Sequence, residues 1–162
     1  PHGRHLAGYL PHASIMGEAT RAWDETVWEY VSFGRDPGAK LKRTLQADPA
    51  MPMGLCLQGY FMHLMGVPAL VAKARAAYAS ALKIGKTTAR EKSHIAALGA
   101  WCEGELERAC AAFEGILREF PRDLLALKLS NYLYFYMGDA ANVRDGPARV
   151  LSGYGTRRKW VP

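Results

Sequence analysis

Much of what commonly announces a function is missing from this sequence. No apolar run approaches the ~20 residues needed to cross a bilayer, and lysine, arginine and glycine interrupt the apolar stretches, which excludes a membrane span. Cysteine is scarce: Cys56, Cys102 and Cys110 are an odd number without metal-type spacing, so they predict reduced thiols in a cytoplasm. No nucleophile elbow, phosphate loop, nucleotide fingerprint or zinc-protease signature occurs, so no cofactor is expected. The net charge of +6 and a pI near 9.4 would suit a nucleic-acid partner. Basic residues are nevertheless scattered among acidic ones, and only Arg157, Arg158 and Lys159 cluster. Without an aromatic-plus-basic motif beside them, they predict a solvated surface and a basic tail rather than a nucleic-acid interface.

What is present is helix, repeated. With 162 residues, 49% of them hydrophobic, the chain is long enough for one domain with a substantial interior. Its centre is the stretch 88–138. Thr88 and Glu91 have capping-box spacing, in which a hydroxyl and a carboxylate each take a free backbone N–H of the first turn, so a helix should begin there. Ile95, Leu98 and Cys102 follow at helical spacing, with Ala96, Ala97, Gly99 and Ala100 between them to allow close approach to neighbours. Gly104 should stop that helix. Leu106, Ala109, Phe113, Ile116 and Leu117 then form the apolar stripe of a second helix, ended by Pro121. Asp123 should cap a third, running to Gly138.

Helix pairs turned by glycine and closed by proline predict an all-α fold, a superhelical stack of antiparallel helix pairs. Gly104 and Gly138 are separated by the roughly 34 residues of a tetratricopeptide repeat, and Gly66 precedes Gly104 by nearly as much. The run from Gly104 to Ala109, then Phe113, Ile116 and Pro121, resembles the second helix and terminal proline of that repeat. Leu127, Ser130, Asn131 and Tyr134 stand at the spacing of its first helix, as do Leu55, Gln58, Gly59 and Met62. More narrowly, Arg90, Glu91 and His94 to Ala97, then Phe120 to Lys128, Tyr134 to Gly138, Arg144 and Asp145 resemble the tetratricopeptide repeat protein 38 family. The resemblance covers about 19–151. Members of that family continue into further repeats, so it implies that this chain is an amino-terminal portion of such a protein.

The flanks extend the pattern. Residues 1–17 hold three histidines and two prolines with no period and read as an extended arm rather than a metal site. A helix with an aromatic face is expected over 18–33, a second from Pro37 with Asp36 as its cap, a methionine-rich third over 51–65, and an alanine-rich fourth over 69–84. Asp139 should cap a last helix, with a kink or premature end at Pro147. The helical domain is thus 18–151, followed by a basic, disordered tail at 152–162.

In the repeat architecture that the resemblance implies, the first helix of each pair lines a concave face. Register then selects Tyr60 and His63, Glu91, His94, Leu98 and Trp101, and Lys128, Tyr132, Phe135 and Tyr136 as the residues that would meet a partner. That set is aromatic and apolar, with Lys128 its chief cation, which disfavours a clamp for an acidic peptide. It predicts a non-catalytic interaction module that binds a hydrophobic protein or peptide, or a second copy in a homo-oligomer. In a short stack the same aromatics could instead pack on one another as core. The alternative is a small-molecule enzyme in which His63, His94, Cys56, Cys102, Glu91, Lys128 and Tyr132 converge across the groove.

Overall fold

The structure, a computed structural model, describes residues 17–151. Among them are eight α-helices, one 3-10 turn and no strand. The helices are α1 (Gly17–Val31), α2 (Pro37–Ala47), α3 (Pro52–Leu64), α4 (Val71–Leu82), α5 (Ala89–Cys102), α6 (Leu106–Glu119), α7 (Leu124–Met137) and α8 (Ala140–Val150). The expected tail and all of the expected arm but Gly17 lie outside the described residues.

Local chemistry places the helix starts. The Asp36 carboxylate accepts the Ala39 amide at 2.8 Å ahead of Pro37, and Asp123 and Asp139 accept Ala126 and Asn142 amides at 3.0 Å each. At α5 both halves of the capping box form: Glu91 takes the Thr88 amide at 2.7 Å and Thr88 takes the Glu91 amide at 3.2 Å. Each such cap typically contributes about 1 kcal/mol by satisfying donors that the helix itself leaves unpaired. Gly66, Gly104 and Gly138 turn the chain after α3, α5 and α7 with φ of 65°, 80° and 75°, a left-handed backbone that a Cβ would strain.

Consecutive helices pack as pairs, α1 on α2, α3 on α4, α5 on α6 and α7 on α8. α5 also lies against α3 and α4, α6 against α7, and α1 reaches across to α7. Close approach to α5 uses two glycines: an added Cβ on Gly59 would sit 2.6 Å from Leu98, and one on Gly99 would sit 2.8 Å from Tyr78. Trp23, Met51, Met53, Tyr60 and Phe113 are completely buried among these helices. Side chains of this size each contribute roughly 1.5–3 kcal/mol when removed from water.

Two expectations about elements differ from the structure. The fourth helix starts later than residue 69, because Pro68–Leu70 forms a 3-10 turn before α4. Of the kink or premature end expected at Pro147, the premature end does not occur, because the last helix runs through Pro147 to Val150. Proline at that position removes the N–H that would serve the Val143 carbonyl four residues back. Asn131 of α7 donates to that carbonyl instead, at 2.8 Å.

Candidate functional site

The residues singled out from the sequence divide into an enclosed polar network and an open aromatic surface. Asp123, the cap of α7, is the hub of the network. Its Oδ1 accepts the Ala126 amide at 3.0 Å, while Oδ2 receives Arg90 Nε at 2.6 Å and faces His94 Nε2 at 3.0 Å. The Tyr60 hydroxyl, from α3, donates to the His94 carbonyl at 2.8 Å and lies 3.2 Å from His94 Nδ1. Tyr60 and His94 are fully buried, and Arg90 and Asp123 are 4% exposed.

Burial lowers the basicity of His94 and outweighs the opposing pull of Asp123, so the imidazole is neutral at pH 7. Burial alone would raise the Asp123 carboxyl, but His94 and the Arg90 guanidinium hold it well below the usual carboxylate range. A neutral imidazole that donates from Nε2 to Asp123 leaves Nδ1 unprotonated, so the single Tyr60 hydroxyl proton is shared between Nδ1 and the His94 carbonyl. The network therefore joins α3, α5 and α7 with one buried ion pair and its hydrogen bonds, and it presents no atom to a substrate.

The open surface begins beyond Tyr60. The Tyr60 ring centroid is 5.9 Å from that of Trp101, which stacks with His63 at 5.1 Å and lies 6.3 Å from Tyr132; Tyr132 in turn stacks with Tyr136 at 6.5 Å. His63, Trp101, Tyr132 and Tyr136 line a cavity of about 390 Å³ with Arg75 and Cys102. His63 Nε2 lies 3.3 Å from Cys102 Sγ. Burial raises the Cys102 thiol more than the Arg75 charge lowers it, with Glu103 adding to the rise, and burial with Arg75 lowers His63. The pair is a neutral thiol beside a neutral imidazole, at the C-terminal end of α5 where the helix dipole disfavours a thiolate. Among the described residues no three His, Cys, Asp or Glu side chains gather to hold a metal ion.

No family model and no solved structure matches the chain.

Of the ten residues expected to meet a partner, Tyr60, Glu91, His94 and Leu98 are fully enclosed and offer a partner no surface. The reason is that α3 lies against α5, with α4 and α6 packed beside them, and their own side chains, Phe113 of α6 among them, fill the space between. Lys128 is half-buried and occupied: its Nζ donates to the carbonyls of Tyr30 at 2.5 Å and Val31 at 3.5 Å, and sits 3.4 Å from the centre of the Phe33 ring. His63 and Tyr132 are half-buried, Trp101 is buried with an edge on the cavity, and Phe135 and Tyr136 are 75% and 70% exposed. The group proposed for the enzymatic alternative converges only in part: His63, Cys102 and Tyr132 line one cavity, and Cys56 is buried away from it. His94 and Glu91 are sealed in the core, and Lys128 is held against α1.

Sequence reasoning missed Arg90 and Asp123 as a buried pair and Arg75 as a cavity residue. Asp123 was legible as a helix cap, but its second oxygen meets a partner 33 residues upstream. No local spacing signals that contact.

Proposed function

We propose that the chain is a non-catalytic interaction module of tetratricopeptide-like repeats. It binds a hydrophobic protein or peptide, or a second copy of itself, through the aromatic surface of Trp101, Tyr132, Phe135 and Tyr136. The observation that carries this reading is the exposure of Phe135 and Tyr136, neighbours on α7 that leave most of two rings in water. Exposed apolar rings beside a cavity are a feature of partner surfaces. The resemblance to the tetratricopeptide repeat protein 38 family, the recurring glycine turns and the paired helices support the repeat architecture. Against catalysis stand the enclosure of His94 and the raised Cys102 thiol, which leave the surface without a thiolate nucleophile.

The test is sedimentation velocity over a concentration series, together with selection from a displayed peptide library. The expected result is concentration-dependent association, or selection of apolar peptides, that the Phe135→Ser, Tyr136→Ser double variant loses while keeping its helical circular dichroism. A chain that stays monomeric and selects no peptide would overturn the reading.

A further inference from the structure

The cavity beside Trp101 carries a cation as well as rings. Arg75, on α4, donates from Nε at 3.3 Å and Nη2 at 3.1 Å to one oxygen, the Cys102 carbonyl at the end of α5. Those two bonds use one edge of the guanidinium and fix its plane. The other edge, Nη1 with the second hydrogen of Nη2, is the edge that meets a carboxylate through two parallel bonds. No carboxylate of the described residues pairs with Arg75. The one acidic side chain lining the cavity, Glu103, is turned to Arg108 at 3.4 Å, which also holds Glu105. His63 is neutral at pH 7, so the positive charge of the cavity lining is that of Arg75.

Around this cation stand Trp101, Tyr132, Tyr136 and His63, with Val71 and Leu106 completing the apolar wall. A volume of about 390 Å³ lies at the low end of the roughly 300–1,000 Å³ of small-molecule sites. It suits a single aromatic ring with one polar group. We propose that this cavity binds an aromatic carboxylate, its ring against Trp101 and Tyr132 and its carboxylate on the free edge of Arg75. The shared chemistry is a ring separated by one or two carbons from a carboxylate, as in a free aromatic acid or the last residue of a peptide. The site shares Trp101, Tyr132 and Tyr136 with the partner surface proposed above but needs neither Phe135 nor self-association, so Phe135→Ser distinguishes the two.

Ligand-observed saturation-transfer NMR and calorimetry with phenylacetate and phenylacetamide test it, because the two probes share a shape and differ in charge. Phenylacetate is expected to bind about tenfold or more tighter than the amide, the usual effect of a charge-assisted bidentate pair. Arg75→Gln keeps a donor for the Cys102 carbonyl and should erase that preference while the fold persists by circular dichroism. Tyr132→Ala should weaken both probes. N-acetylphenylalanine that binds at least as well as phenylacetate assigns the site to a peptide C-terminus, and weaker binding assigns it to a free acid; both outcomes support the proposal. Equal affinity for phenylacetate and its amide, binding of neither, or a preference that survives Arg75→Gln would overturn it. The Phe135→Ser variant should bind the probes as the unaltered chain does.

Discussion

The side-chain amide of Asn131 on α7 donates at 2.8 Å to the Val143 carbonyl of α8, the carbonyl that the ring nitrogen of Pro147 cannot serve. One side chain thus allows a proline to sit inside a helix. The same bond ties the last helix to its pair.

Asn131→Ala should therefore destabilise the protein by about 1–3 kcal/mol, since it leaves that carbonyl without its partner. Alanine at position 147 restores an N–H for the same oxygen, so the cost of Asn131→Ala should shrink in a Pro147→Ala background. Urea unfolding of the four members of this double-mutant cycle measures the coupling. Simple additivity would show that the two residues act independently.

Asp123→Asn should be more damaging. It keeps an oxygen to cap Ala126 but removes the charge facing Arg90, whose side chain is 5% exposed. Removing one partner of a buried ion pair costs about 3–5 kcal/mol. The unfolding midpoint should also depend on pH. His94 in the folded protein titrates below its ordinary value of about 6.5, so the unfolded chain binds the extra proton first. The stability that a neutral His94 contributes is present above pH 6.5 and is lost as pH falls toward its folded pKa. His63 is lowered too and adds in the same direction. Asp123 is depressed from the usual carboxylate value, so its contribution begins to fall only below about pH 4. Urea midpoints at pH 7.5 and 5.5 should differ, and His94→Gln should reduce the difference more than His63→Gln does.

Gly59→Ala and Gly99→Ala should differ in severity although both glycines lie at close contacts between α5 and a neighbouring helix. The Cβ at 59 would meet both methyls of Leu98, a fully buried side chain with nowhere to move. At 99 the Cβ would meet the outer end of the half-buried Tyr78, which can swing toward solvent. Overpacking costs of about 1–3 kcal/mol apply to the first, and a smaller loss is expected for the second. Thermal unfolding of the two variants gives the comparison.

Lys128→Met should loosen α1 without unfolding the remainder. The ammonium serves the last carbonyls of α1 from a helix 97 and 98 positions away in sequence, and Phe33 covers it. A cation at a helix C-terminus contributes about 0.3–1 kcal/mol, and its hydrogen bonds add to that. Hydrogen exchange should speed up at the end of α1 and leave α5 and α6 unchanged. Uniform acceleration would mean that the contact between α1 and α7 supports the whole fold.

How much of this was legible in the sequence follows the distance over which each contact acts. The capping box of Thr88 and Glu91, the caps at Asp36, Asp123 and Asp139 and the glycine turns each involve residues within four positions, so spacing alone revealed them. The cavity was half legible: its aromatic side came from helical register, while Arg75 on the alanine-rich α4 carried no pattern pointing to Cys102, 27 positions on.

The sequence by itself determined an all-helical chain, where most of its helices begin and which stripe of each is apolar, because those properties reside in local hydrogen bonding and periodicity. Tertiary structure alone decided that His94 and Tyr60 are sealed against Asp123 while Tyr136 stands in water. Residues on successive first helices share a register but not an environment, and burial depends on which neighbouring helices, such as α6 beside α5, cover each position. The same packing lets Asn131 rescue the carbonyl left by Pro147, which no pattern within α8 could foretell.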